Sequence, residues 1–232
     1  MKKTKKKVII GVVIIAVLLI IGIVSYVMYN KQQLEMLFEE TNKLSQMSLD
    51  EEEIDMKIKT KGKYAIVEET MKNYVNDVKN LSNDIINLCK ESDLDKILEI
   101  ENIKTDGPEF ISTKEKISEF RAQINEKMEK LQESLKEENI VAAIENKNLS
   151  NSYKELYKTV MFDEGTLNEL SSSEDEIKSV LDEVNTTLDA LDKVIDFLKE
   201  NSNYWEVKDD KIQFNNVKKL TEYYQILNSV GE

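Results

Sequence analysis

Asp189 and Asp192 lie three residues apart and Glu51 and Asp55 four apart, spacings that put two carboxylates on one face of a helix. Such pairs hold di-metal centres or serve as the two acids of a glycosidase. Helical di-metal sites also use histidine, in a Glu-x-x-His pattern, and this chain has no histidine. The same absence excludes Ser-His-Asp and Cys-His nucleophiles and the H-E-x-x-H zinc site. The single cysteine, Cys89, excludes thiolate zinc sites, iron–sulfur clusters and an intramolecular disulfide. It lies beside an apolar stripe with no histidine to lower its pKa, and reads as an ordinary semi-buried residue. The acidic block from Asp50 to Glu53 lacks the D-x-D-x-D-G order of a calcium loop and reads as a solvated turn. There is no glycine-rich phosphate loop. The carboxylate pairs leave the apolar seams uninterrupted, as solvated faces do. We therefore assign no catalytic, cofactor-binding or metal-ligating residue, and expect a protein that is not an enzyme.

Two residue types remain that recognise partners. Arg121, the only arginine, has the fork geometry to clamp a carboxylate or phosphate, but on so acidic a helix a local surface ion pair accounts for it. The aromatic residues Tyr153, Tyr157, Tyr204, Trp205, Tyr223 and Tyr224 combine contact area with a polar tip. Of these, Tyr204, Trp205, Tyr223 and Tyr224 form the candidate partner-binding set, against the plainer reading that they are half-buried bundle residues.

The elements that must position these residues begin with the N-terminus. Lys2, Lys3, Lys5, Lys6 and Lys7 precede an uncharged run from Val8 to Tyr29. As a helix that run is roughly 33 Å long, enough for a bilayer core of about 30 Å. Five lysines on its N-terminal side predict a cytoplasmic N-terminus and an extracytoplasmic remainder at the plasma membrane, with Tyr26 and Tyr29 as interfacial anchors. A signal peptide cut after Ser25 is the competing reading. The run exceeds the usual signal core of about 7–15 residues and shows no A-x-A-like site, which favours a single-pass anchor. Setting the five tail lysines aside leaves 27 basic against 45 acidic residues, a net charge of −18. Such a surface repels nucleic acid and anionic membranes alike.

Downstream, apolar spacing predicts helices. Residues 30–48 continue as a juxtamembrane helix with Leu34, Leu37, Phe38, Leu44 and Met47 as contacts, and residues 49–61 are charged and irregular. Tyr64, Val67, Met71, Tyr74, Val78, Leu81, Ile85 and Leu88 alternate spacings of three and four, a heptad seam. Ile177, Leu181, Val184, Leu188, Leu191, Ile195 and Leu198 repeat the pattern behind a Ser173–Glu176 capping box, and Val180, Val194 and Phe197 widen that stripe towards a bundle core. The two seams are about 37 Å and 32 Å long, which suggests a rod. Between them lie a short helical piece from Leu94 to Ile100, a turn at Asp106–Pro108, and a helix from about Thr113 through Ile117, Phe120, Ile124, Met128, Leu131 and Leu135. A fourth stripe runs from Ile140 to Val160, with an interruption expected over Asn146–Ser152 and a break at Asp163–Gly165. Residues 204–214 read as a hairpin turning at Asp209–Asp210, and Val217–Val230 as a closing helix presenting Leu220, Tyr224 and Leu227.

The expected organisation is a basic tail (1–7), an anchor (8–29), a juxtamembrane helix and charged stalk (30–61) and a mostly α, elongated antiparallel helical bundle (62–232) carrying the hairpin. In outline this is similar to LemA-like proteins and to short bitopic division-complex proteins, with no shared motif and no residue role carried over. The expected function is a non-enzymatic interaction or scaffold module of the cell envelope, inserted in the lipid bilayer through residues 8–29 and docking an envelope protein. A ligand-binding module holding a small molecule or peptide between helices is the alternative. Self-association through the Tyr64–Leu88 seam competes with closure inside one chain, which the widened second stripe favours.

Overall fold

The computed structural model describes residues 25–45, 47, 53–162 and 164–228, with the side chains of 164–174 and 176 left out. The basic tail and most of the apolar run lie outside the described residues, as does most of the Asp50–Glu53 block. Among the described residues no helix is long and apolar enough to cross a membrane. The described chain is mostly helical, with eight α-helices and one antiparallel hairpin. It divides into two compact units, one of residues 1–77 and 141–163, the other of 78–140 and 164–232.

In unit 1, helix α1 (25–45) buries Gln33, Leu37, Glu40 and Leu44. Their 4-3-4 spacing is that of a heptad seam, but two of the four residues are polar. An irregular segment, 53–61, follows and buries Ile54 and Thr60. Gly62 turns the chain at φ +63°, a left-handed conformation that glycine adopts without strain. Helix α2 (Lys63–Glu91) then buries Val67, Met71 and Val78, as its seam predicts, together with Glu68, Thr70 and Lys72 beside them. Only its first half, to Asp77, belongs to unit 1.

In unit 2, a single 3-10 turn (Leu94–Lys96) leads to helix α3 (Ile100–Asp106) and helix α4 (Ile111–Leu135). The α3–α4 corner is tight. A Cβ on Gly107 would meet the Ile103 carbonyl oxygen at 2.5 Å, so only glycine fits. The Asp106 carboxylate accepts the backbone N–H groups of Ser112 at 3.2 Å and Thr113 at 2.7 Å, capping α4 from outside the usual cap position. Lys136 takes extended backbone angles and ends α4, and helix α5 (Glu137–Glu145) follows. The fourth stripe is therefore split, with the anticipated interruption over 146–150 and then helix α6 (Asn151–Met161) in unit 1. The additional break at Lys136 left no sequence signal, since Ser134, Lys136 and their neighbours are ordinary helix residues.

Helix α7 (Glu164–Glu200) starts 13 residues before Ile177, so the Ser173–Glu176 pattern lies inside a helix rather than at its start. Once a helix is nucleated, continuing through serine costs only about 0.5 kcal/mol per residue relative to alanine, less than starting a second helix. Helices α4 and α7 are antiparallel: Lys114 pairs with Asp196, Arg121 with Asp192 and Asp189, and Asn125 with Asn185. Their facing stripes, Ile117, Phe120, Ile124 and Met128 against Leu188, Leu191, Val194, Ile195 and Leu198, form the main core. The hairpin is present, with β1 (Trp205–Lys208) and β2 (Lys211–Phe214) in the register Trp205–Phe214. Asp209 and Asp210 both take φ near +50°, the pair of left-handed residues a two-residue hairpin turn requires. Helix α8 (Val217–Asn228) closes the unit by packing Tyr223, Ile226 and Leu227 on that core.

Candidate functional site

The four aromatic residues selected from sequence divide into two pairs. Trp205 begins β1 half-buried; its indole Nε1–H donates to the Leu198 carbonyl at 2.7 Å and its ring lies 6.2 Å from Phe110. Tyr223 is buried between Phe214 at 5.2 Å and Phe197 at 6.1 Å, and burial pushes its hydroxyl up to about 12. These two hold the hairpin and α8 onto α7. Tyr204 and Tyr224 are exposed. Tyr224 points away from the core, contrary to its expected place in the α8 stripe, because Tyr223 takes the inward position at helical spacing from Ile226 and Leu227. Val217, Thr221 and Tyr224 thus form an outward face on α8, and Val217 is 81% exposed.

Cys89 is exposed, not semi-buried, because the second half of α2 turns that side to solvent. Desolvation raises its thiol pKa, which does not favour a reactive thiolate. It borders a cavity of about 520 Å³ in unit 2, lined by Leu94, Phe120, Val184 and Leu188 with Ser92 and Thr187 at its polar edge. None of Tyr204, Trp205, Tyr223 or Tyr224 lines it.

Arg121 does form an ion pair, but across helices. Its guanidinium lies 2.9 Å from Asp189, 3.1 Å from Asp192 and 3.3 Å from the Asn185 side-chain oxygen. The Asn185 amide in turn donates to Asn125 at 3.0 Å. The Asp189–Asp192 pair is thus engaged in holding α7 to α4. Both carboxylates are solvent-accessible, so Arg121→Gln is expected to lower stability by less than about 1 kcal/mol, and less still at high salt. Thermal melts at low and high ionic strength check this; a loss above about 2 kcal/mol would mean the pair is effectively buried.

The most concentrated electrostatics lie in unit 1 and were not anticipated. Lys72, 1% exposed, places its ammonium 2.7 Å from Glu40, 2.8 Å from Glu68 and 2.9 Å from the Lys57 carbonyl. Glu68, fully buried, also accepts the backbone N–H groups of Lys59 and Thr60 and the Thr60 hydroxyl, at 2.8–3.0 Å. Burial works to raise the carboxyl pKa of Glu68, but the hydrogen bonds from Lys72, Thr60 and Lys59 outweigh it and hold the group below its ordinary value. Glu40 behaves alike, with Lys43 and Lys72 as donors. One buried cation between two buried anions thus ties α1, segment 53–61 and α2 together. The hydrogen bonds of this cluster join one protein element to another, as those of a structural staple do. The only sequence signal was Glu68–Lys72 at helical i,i+4 spacing beside Val67 and Met71.

Tyr157, also in unit 1, is fully buried, and its hydroxyl has no hydrogen-bond partner among the described residues. Burial raises its pKa strongly. A buried hydroxyl without a partner costs about 1–3 kcal/mol, so Tyr157→Phe is expected to raise the unfolding midpoint in urea. A lowered midpoint would reveal a partner for that hydroxyl.

Among the described residues no three His, Cys, Asp or Glu side chains converge as a metal site requires. No known protein family matches this sequence, and no characterised protein or solved structure is significantly similar to it.

Proposed function

We propose that this protein is a single-pass, membrane-anchored module of the cell envelope, with an extracytoplasmic helical domain that docks another envelope protein without catalysing a reaction. The observation that carries this reading is the continuity of α1. Residues 25–29, the end of the apolar run, belong to the same helix as Gln33, Leu37, Glu40 and Leu44, which are buried in unit 1. An anchor so joined holds a folded unit rigidly at the bilayer rather than on a loose tether. The buried charges support the same reading, because they are spent on joining elements. The outward face of α8, Val217 and Tyr224, is the docking surface this reading selects, since large exposed apolar residues on one helical face suit a partner. In-cell cross-linking of the full-length protein, followed by affinity capture, tests it. One dominant envelope protein, lost in Val217→Ser/Tyr224→Ser, is the expected result; recovery of the chain alone would overturn the docking role.

One observation favours a second reading. The 520 Å³ cavity beside Phe120 and Leu188 is within the size range of small-molecule sites, with an apolar wall of Leu94, Phe120, Val184 and Leu188 and the charged Lys90, Asp95 and Glu183 around it. On this reading the extracytoplasmic domain senses a small apolar ligand. A ligand that raises the melting temperature of the wild type and not of Leu188→Trp would establish it.

A further inference from the structure

Residues 25–34, 59–64 and 146–153, all in unit 1, contain no aspartate or glutamate. Together they carry Lys31, Lys59, Lys61, Lys63 and Lys147, and also Tyr26, Tyr29, Tyr64 and Tyr153. They are far apart in sequence, and unit 1 brings them together. The Gln33 side chain accepts the Lys61 backbone N–H at 2.6 Å. The Cβ position of Gly62 is 3.5 Å from the Tyr29 hydroxyl. Lys63 donates to the Asn148 carbonyl at 3.0 Å, and the Tyr64 and Tyr153 rings meet edge to face at 5.1 Å. Burial is the first cause that raises the pKa of both Tyr64 and Tyr153; Tyr153 comes next at Tyr64, and Tyr26 and Tyr29 contribute at both, so the four tyrosines lie within electrostatic reach of one another.

The carboxylates flanking these segments are held by lysines: Glu35 by Lys31 at 3.8 Å, Asp55 by Lys59 at 2.6 Å, and Glu145 by Lys154 at 2.9 Å. Lys61, Lys63 and Lys147 are exposed and give the collar a positive face. The collar lies beside residues 26–33 of α1, of which Tyr26, Val27 and Met28 are 64%, 59% and 67% exposed. That is a largely apolar helix surface exposed among the described residues, at the C-terminal end of the apolar run in the sequence.

We propose that this collar is a membrane-contact surface, whose tyrosines and lysines rest on the anionic headgroups of the bilayer that residues 8–29 enter. The inference rests on the anchor reading above. Tyrosine favours the headgroup level, and lysine is attracted to anionic lipid over about one Debye length, roughly 8 Å. Gln33, which fixes Lys61, is four residues past Tyr29, or about 6 Å along the helix, inside that range. Leu44 is about 22 Å along it, outside that range. The net acidity that repels an anionic membrane is thus a property of the whole chain, and the membrane-proximal rim has the opposite sign.

The test uses full-length protein in vesicles of equal parts phosphatidylglycerol and phosphatidylcholine, with Cys89→Ser and one nitroxide label at a time. Labels go on Leu18→Cys, Ser152→Cys and Ser45→Cys, and relaxation by oxygen is compared with relaxation by a water-soluble nickel chelate. The expected result is a hydrocarbon signal at 18, a headgroup-level signal at 152 and a water signal at 45. Neutralising the face with Lys61→Gln/Lys63→Gln/Lys147→Gln, or raising the salt on the unaltered collar, is expected to increase nickel access at 152 severalfold. A water signal at 152 with a hydrocarbon signal at 18 overturns the collar and leaves the anchor standing. A water signal at 18 overturns the anchor itself. Nickel access at 152 indifferent to both charge removal and salt overturns the role of the lysines.

Discussion

Lys72→Met is expected to destabilise unit 1 by about 3–5 kcal/mol, because it removes the cation shared by two buried carboxylates, leaving Glu68 without a counter-charge and Glu40 with Lys43 alone. Glu68 is 0% and Lys72 1% exposed, so little solvent is available to take over. Glu68 would keep the backbone N–H groups of Lys59 and Thr60, while Glu40 would keep only Lys43. Glu40 is therefore the carboxylate most exposed to the loss. Lys72→Met/Glu40→Leu should recover part of the stability that Lys72→Met loses, as replacing a buried ion pair by apolar groups often does. Urea unfolding gives the free energies, and hydrogen exchange at the Lys59 and Thr60 amides reports the site directly. A loss below about 1 kcal/mol for Lys72→Met would show that the cluster is not the staple its geometry describes.

The pH dependence follows with its signs. Glu40 and Glu68 are held below their ordinary carboxyl value of 4.5, so their contribution is complete above about pH 4.5 and lost as pH falls through the folded-state values. Lys72 feels burial, which lowers its pKa, but its bonds to Glu40 and Glu68 raise it above 10.5. Its contribution is complete below that value and lost as pH rises through the folded-state one. The wild type should thus show a plateau between these limits. In Lys72→Met, burial of the carboxylates is offset less, by Thr60 and Lys59 at Glu68 and by Lys43 at Glu40. Mild acidification should therefore destabilise the variant less than loss of the ion pair alone implies, or stabilise it, where it leaves the wild type unchanged. Urea midpoints at pH 7 and pH 5 check this, and equal slopes for the two proteins would count against it.

The apolar half of this molecule was legible in its sequence and the polar half was not. The seams from Val67 to Val78 and from Leu188 to Leu198 are buried as their spacing predicts, because apolar residues at helical period have one place to go. The hairpin was legible too, since Trp205–Lys208 and Lys211–Phe214 alternate around a two-residue turn. Gln33, Glu40, Glu68 and Lys72 carry no such mark. Each is polar and common on solvated faces; Gln33, Glu40 and Lys72 find partners about 30 residues away on another element, and Glu68 finds Lys59 and Thr60 eight or nine residues upstream in an irregular segment. The collar was hidden for a related reason: total charge masked the absence of carboxylates in three separated segments. The start of α7 was misplaced because a capping box is a local pattern, whereas the continuity of a 37-residue helix is not. Of the aromatic set, sequence could find the residues but not divide them, since Tyr223 and Tyr224 are neighbours and only the direction of α8 decides which faces in.

Phe110→Ala is expected to cost unit 2 about 3–5 kcal/mol, the range for truncating a buried phenylalanine. Phe110 is fully buried, with its ring beside Trp205 and against the tight corner at Gly107. Its backbone is also unusual, at φ +52° and ψ 38°, in the left-handed region that costs a non-glycine residue about 1–2 kcal/mol. That conformation is held by the chain on both sides: the Phe110 N–H donates to the Asp106 carbonyl at 2.8 Å, and its own carbonyl accepts from Lys114 at 3.0 Å. The corner therefore carries strain that the buried ring offsets. Phe110→Gly loses the same ring but relieves the backbone, so it should be more stable than Phe110→Ala by about 1 kcal/mol, the reverse of their order in a helix interior. Trp205 is the only tryptophan, so its emission should shift to longer wavelength in both variants as the ring beside it is lost. If alanine proves the more stable of the two, the left-handed turn does not survive removal of the ring, and the ring is then what forces the turn rather than what compensates for it.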